Sequence, residues 1–187
     1  MKKIVILFSG EGSNLLNLIK TIHQKECIIA AAITNRPNAG GIEKAKTYDI
    51  PVEVIDHTLY GSREAFDAEL VRTINSHSPD LVVMAGFMRI LSPIFFTLKT
   101  KAINIHPSLL PLFKGANAIG QSFESSEKAG GVSIHWVTEE LDSGSVIAQE
   151  SFEKADDETL ESFTDKIHAV EYKLLPQTII KVLSSNK

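Results

Sequence analysis

The stretch MKKIVILFSGEGSN, Met1–Asn14, decides the fold. A basic start followed by apolar residues has the outline of a secretory leader. The apolar run Ile4–Phe8 is too short for the core of such a leader, however, and no cleavage-like A-x-A sequence follows. The run reads instead as a buried β-strand. SGEGSN then makes a glycine-rich turn, and Leu15, Leu18, Ile19 and Ile22 recur at helical spacing. Strand, tight turn and helix in that order form the opening unit of an α/β sheet.

The same alternation continues outward. Cys27–Ile33 (CIIAAAI) reads as a second apolar strand, followed by the turn residues Asn35, Arg36, Pro37 and Asn38. A short helix over Gly41–Tyr48 and a strand over Val52–Ile55 come next. Ser62 is placed to cap a helix in which Phe66, Leu70 and Ile74 share one face. Leu81–Met84 is another buried strand, and a short helix is expected over Pro93–Leu98. Strands this apolar, alternating with helices, indicate a parallel sheet covered on both faces. Beyond Pro111 the pattern changes. A loop and helix cover Pro111–Ala129. Gly131–Val137 and Ser145–Phe152 then form two strands joined by the turn-rich TEELDSG, a later, antiparallel edge. A last helix is expected to start near Asp156 or Asp157, with an apolar stripe of Leu160, Phe163, Ile167 and Val170. The expected fold class is α/β: a doubly wound, mostly parallel sheet with an antiparallel later strand, in a single domain over residues 1–187.

Composition narrows the functional classes. With 187 residues and 43% hydrophobic content, the chain has enough material for a sizeable core. A net charge of −4 implies no broad basic surface for nucleic acid. No apolar run reaches bilayer-spanning length. The single cysteine, Cys27, lies in an apolar run and permits no intrachain disulfide, so nothing marks the chain as secreted. A cytoplasmic protein with small-molecule partners is the expectation.

Chemistry-bearing residues gather at predicted strand ends. In INIHPSLLP, Ile103–Pro111, Asn104 and His106 stand two residues apart and so share one face of a strand. Pro107 cannot donate to a ladder and ends that strand. Ligands of open α/β sheets bind at such carboxyl ends, although a polar strand end facing water has the same pattern. SGEGSN offers backbone N–H groups at a helix start, suited to a phosphate. It lacks the third glycine and following acid of a dinucleotide fingerprint, and the lysine of a P-loop. A phosphate monoester therefore fits better than NAD or ATP, and a plain strand-to-helix turn is the alternative. AGFMRILS, Ala85–Ser92, sets apolar side chains around one Arg, either as a wall for a flat ligand or as a loop packed into the core. Asp142, in the ELDSG turn, matters to chemistry only if it reaches His106; otherwise it makes an ordinary Asx-turn. His23, His57, His77, His135 and His168 have no such companions and read as structural or exposed. Glu171 follows Ile167 by one turn, at the solvent margin or directed into a site.

Taken together, SGEGSN, SREAFD (Ser62–Asp67), AGFMRILSP, INIHPSLLP and VTEELDSG, in that order, resemble the folate-dependent formyltransferases from about residue 3 to about 178. The resemblance implies a Rossmann-like formyltransferase fold. It implies a catalytic trio of Asn104, His106 and Asp142, with no metal. Gly12, Ser13 and Asn14 would hold the phosphate of a ribonucleotide, and Glu171 would contact its sugar. Met88, Arg89, Ile90 and Leu91, with Glu139, Glu140, Leu141 and Asp142, would line the pterin pocket of 10-formyltetrahydrofolate, and Arg63 would lie near the folate tail. The implied reaction moves the formyl group of that co-substrate to the amine of 5'-phosphoribosylglycinamide, as in purine synthesis.

The chain departs from the family pattern in two places. Lys-Tyr-Pro-Gly with two nearby histidines is common after SLLP; here the stretch is LFKGANAIGQSF, with Leu112, Asn117 and Ile119 at the changed positions and Lys114 as a partial substitute. Ser143 stands where Gly is common. Two related activities are weighed against the main reading. A methionyl-tRNA formyltransferase carries a further C-terminal domain, and a formyltetrahydrofolate deformylase an N-terminal regulatory one; neither is expected here. A non-enzymatic nucleotide-binding module accounts for SGEGSN but gives Asn104, His106 and Asp142 no purpose. Nothing in the sequence indicates a homo-oligomer.

Overall fold

A computed structural model describes residues 1–185. It divides into two compact units, Met1–Ile103 together with the residues from Leu183, and Asn104–Val182. In the first unit, β1 (Lys3–Phe8), β2 (Ile28–Thr34), β3 (Val52–Val54) and β4 (Leu81–Met84) are parallel and stand in the order β3-β2-β1-β4. Ile4 to Phe8 are wholly buried, as a central strand flanked on both sides requires. The crossovers are α1 (Ser13–Thr21), α2 (Gly41–Thr47) and α3 (Arg63–Ser76). Leu15, Leu18 and Ile19 bury one face of α1; Phe66, Leu70 and Ile74 do so on α3. α3 begins where expected, because Ser62 Oγ accepts the Ala65 N–H at 3.1 Å. The short helix at Pro93–Thr97 is of the 3₁₀ kind.

β5 (Ala102–His106) contains the boundary between the units. The second unit holds α4 (Ala118–Glu124), β6 (Ala129–Trp136), β7 (Val146–Glu153) and most of α5 (Leu160–Ser185). β6 and β7 are antiparallel, with a register shift between Ile134 and His135. The hydrogen-bonded strand order is β3-β2-β1-β4-β5-β6-β7, the expected mostly parallel sheet with an antiparallel later strand. Phe163 packs against Phe123 and Phe152 at ring separations of 5.7 and 5.2 Å.

α5 corrects two expectations. It starts at Leu160, not near Asp156 or Asp157. The cause is Thr159, whose Oγ1 accepts the Ser162 N–H at 3.0 Å while Ser162 Oγ accepts the Thr159 N–H at 3.1 Å, a reciprocal cap. Leu160 itself is exposed, and the buried stripe runs through Phe163, Ile167, Glu171, Leu174 and Leu175. Glu171 is thus on the buried side of the helix. No helix among the described residues is long and apolar enough to cross a membrane.

Candidate active site

The second unit brings the expected trio together. His106 and Asp142 are both buried, and His106 Nδ1 lies 3.5 Å from Asp142 Oδ2. The other ring nitrogen, Nε2, is 2.8 Å from the carbonyl oxygen of Phe113. A carbonyl only accepts, so Nε2 carries a hydrogen and donates. Nδ1 is thereby turned toward the Asp142 carboxylate. Asp142 is held in the left-handed region at φ 50°, and its Oδ2 accepts the Gly115 N–H at 2.8 Å. ELDSG can make this turn because Gly144 has no side chain: a Cβ there would lie 1.7 Å from the Trp136 carbonyl oxygen.

The structure adds a residue that the sequence reading set aside. His135 is 2% exposed, and its Nε2 lies 3.5 Å from Asp142 Oδ1 and 3.3 Å from Asn104 Nδ2. Its Nδ1 donates to the Trp136 carbonyl at 2.9 Å, so in the neutral ring Nε2 accepts from the Asn104 amide. Asn104 is thereby oriented by His135, and Asp142 faces two imidazoles. The expectation that His135 lacks companions is incorrect. The irregularity in β6 at Ile134/His135 accompanies this, since such shifts re-aim side chains. No local signal marks it: His135 is the penultimate residue of β6, and only the folded turn returns the Asp142 carboxylate to it. The other histidines behave more simply; His23 Nδ1, for example, accepts the Ile29 N–H at 3.0 Å.

Burial alone would push the Asp142 carboxyl up. The contact with His135, the Gly115 N–H and the imidazoles of His106 and His135 nearby outweigh burial and hold it below the ordinary 3.8. One carboxylate between two imidazoles has donor types that bind metals. Among the described residues, however, no three such side chains are arranged to hold a metal ion.

The INIHPSLLP segment is fastened from β6 and β7. Ser133 Oγ donates to the Ser108 carbonyl at 2.7 Å and accepts from Leu110 N at 3.0 Å and Gln149 Nε2 at 2.8 Å. Gln149 also donates to the Leu110 carbonyl at 3.0 Å. In the divergent loop that follows, Lys114 Nζ donates to Ser143 Oγ at 2.8 Å, joining the two departures from the family pattern.

In the first unit, Gly12 occupies the N-cap of α1 at φ 70°, and no side chain caps the helix. The opening N–H groups of α1 thus have no side-chain cap. Ser13 is exposed and Asn14 buried. Gly12 also packs: a Cβ there would lie 2.7 Å from Gly41 Cα. Lys44 of α2 donates its Nζ to the Glu11 carbonyl, a cation beside this turn that no local motif announced. Gly86–Leu91 is pinned at both ends by buried acceptors. Ser9 Oγ accepts the Met88 N–H at 2.7 Å, and Asp67 Oδ2 accepts the Ser92 N–H at 2.6 Å. Arg89 lies over the Phe66 ring at 4.7 Å, leaving Met88 and Ile90 as exposed apolar tips. Arg63 is exposed in the first turn of α3. In the second unit Glu139, Glu140 and Leu141 are exposed, next to buried Asp142.

A strand-end amide and imidazole joined to a turn carboxylate, in a sheet of this order, belong to a known group: residues 2–179 match the family model described as formyl transferase, and the chain belongs to that family. It is similar to phosphoribosylglycinamide formyltransferase of Bacillus subtilis, at 34% identity over 100% of this chain and 97% of that one. A solved phosphoribosylglycinamide formyltransferase from Campylobacter jejuni superposes with a TM-score of 0.94 at 48% identity, over 97% of each chain. The trifunctional purine biosynthetic protein adenosine-3 of Bos taurus is 37% identical over 97% of this chain, which spans only 18% of that protein's length.

Proposed function

We propose that this chain transfers the formyl group of 10-formyltetrahydrofolate to the amine of 5'-phosphoribosylglycinamide, giving formylglycinamide ribonucleotide and tetrahydrofolate in purine synthesis. It would act in the cytoplasm as a single formyltransferase domain over residues 1–187, on small molecules and without nucleic acid. The observation that carries this reading is the meeting of half-buried Asn104 with buried His106 and Asp142, with a second imidazole behind them. An attacked formyl carbonyl becomes a tetrahedral oxyanion. Asn104 supplies an amide N–H to it, held by His135, and His106 an imidazole N–H. The attacking amine loses a proton and the departing folate nitrogen gains one. His106 carries that proton directly or through water, and the Asp142 carboxylate stabilises positive charge on the ring as it moves. The His106 Nε2–H now bonded to Phe113 must exchange the carbonyl for substrate or water, which assigns the loop after Pro111 a part in each turnover.

The ribonucleotide phosphate is assigned to the uncapped start of α1 at Gly12, Ser13 and Asn14, and the sugar to Glu171. The pterin is assigned to Met88, Arg89, Ile90, Leu91, Glu139, Glu140 and Leu141, and the folate tail to Arg63. The exposed apolar tips of Met88, Ile90 and Leu141 support this, since unburied apolar side chains on pinned loops suit a flat ligand. The deciding experiment offers the purified protein and a 10-formyl folate three acceptors: the ribonucleotide, initiator tRNA and water. Turnover is expected with the ribonucleotide only. Rapid formate release without ribonucleotide would make it a deformylase.

A further inference from the structure

Asp67 is 0% exposed on α3, and no step of the proposed chemistry uses its carboxyl group. Its Oδ2 accepts the Ser92 N–H at 2.6 Å, and its Oδ1 has no hydrogen-bond partner among the described residues. Burying a carboxyl group costs more than one such bond returns, so an apolar side chain would serve the α3 core better. What Asp67 does instead is fix a backbone position outside its own helix. A backbone N–H only donates, so the direction of this bond is settled.

That position governs the loop assigned to the pterin. At the near end the Ser9 N–H donates to the Gly86 carbonyl at 2.9 Å, and Ser9 Oγ accepts the Met88 N–H at 2.7 Å. At the far end the Ser92 N–H meets Asp67. Between these anchors no hydrogen bond among the described residues holds the backbone of Arg89, Ile90 or Leu91. Arg89 Nε and Ser92 Oγ are buried there without hydrogen-bond partners as well. The span is thus located by its two ends and by the Arg89 guanidinium over the Phe66 ring at 4.7 Å. Phe66 and Asp67 are consecutive on α3, so one helix holds both the middle and the far end of the span. α3 also begins at Arg63, one turn, or about 6 Å of helix, before Asp67. We infer that Asp67 is a positioning residue for the folate co-substrate: it fixes Arg89–Leu91 against α3 and so sets their distance from Arg63. This rests on the assignment of that loop to the pterin and of Arg63 to the folate tail.

The test compares Asp67→Leu, which keeps the volume and removes the acceptor, with Asp67→Asn, which keeps an oxygen for the Ser92 N–H. Asp67→Leu is expected to raise KM for the formyl folate about tenfold, the effect of stranding one buried donor. Its kcat and ribonucleotide KM should stay within about twofold, and Asp67→Asn should restore the folate KM. A merely structural role would lower Tm and the active fraction without splitting the two KM values. Amide exchange reads the anchor without ligand: the Ser92 N–H should be protected in wild type and exchange about tenfold faster in Asp67→Leu. An unprotected Ser92 N–H in wild type would overturn the inference even if Asp67→Leu fails to fold. Equal rises in both KM values, or no rescue by Asp67→Asn, would overturn it too. Adding tetrahydrofolate to wild type separates the two readings. Protection of the Arg89–Leu91 amides by tetrahydrofolate, with an unchanged folate KM in Asp67→Leu, rejects the role of Asp67 alone. No such protection rejects the loop assignment and the role of Asp67 together.

Discussion

Replacing Asp142 by Asn tests the core of the proposed mechanism. The substitution keeps the shape and an oxygen for the Gly115 N–H, so the turn should survive. It removes the negative charge 3.5 Å from His106 Nδ1 and 3.5 Å from His135 Nε2. At an effective dielectric constant of about 20, Coulomb's law gives about 5 kcal/mol for unit charges at that distance, an upper bound. That bound corresponds to roughly 10³–10⁴ in rate, and solvent reorganisation will absorb part of it. The expected loss in kcat is therefore about 10²–10³, with both KM values changed by less than about threefold. His106→Ala should lose about 10²–10⁴, the range for a positioned acid or base. The assay is a double-mutant cycle on single-turnover formyl transfer. Because both changes remove one function, the double variant should be little worse than His106→Ala. Fully additive losses would show that the carboxylate acts independently of His106, and the proposed unit would have to be abandoned.

Acid titration reads the same carboxylate through stability. The folded Asp142 carboxyl lies below 3.8, so it contributes stability above that value and loses it as pH falls through the folded value. The difference in unfolding free energy between wild type and Asp142→Asn should thus shrink as pH drops below about 3.8, measured by urea unfolding; a pH-independent difference would count against it. Ser133→Ala strands Leu110 N and leaves Gln149 Nε2 with only its bond to the Leu110 carbonyl, so a stability loss of about 1–3 kcal/mol and a fall in kcat are expected from chemical unfolding and kinetics. At the phosphate turn two variants separate packing from charge. Gly12→Ala meets Gly41 and a left-handed φ, so it should lower Tm as well as ribonucleotide affinity; Gly10→Asp has open space and should weaken ribonucleotide binding with Tm unchanged. Calorimetric titration of each ligand checks this, and equal losses for ribonucleotide and folate would refute the assignment.

The order of strands and helices was legible in the sequence because each depends on local patterning: the buried run Ile4–Phe8, the Phe66/Leu70/Ile74 face, the Ser62 cap. The shared face of Asn104 and His106 followed from strand periodicity alone. The boundary of α5 did not, because two acidic residues and a capping Thr compete within four positions, and the paired Thr159–Ser162 bonds decided it. His135 was missed because an isolated histidine in a strand carries no signal of its partner. Its role arises only when the turn at Asp142 returns a carboxylate to it, a contact made by tertiary packing. The contacts of Ser9 with Met88 and Asn35, and of Asn35 with His57, are of the same kind. Their partners are 22 to 79 residues apart, and a hydrogen-bond donor written in sequence does not say which distant acceptor it will meet. Local periodicity therefore determined the elements and the strand that bears the chemistry. Which polar groups satisfy one another once buried was decided only when the chain folded, because the cost of an unpaired buried group is felt only there.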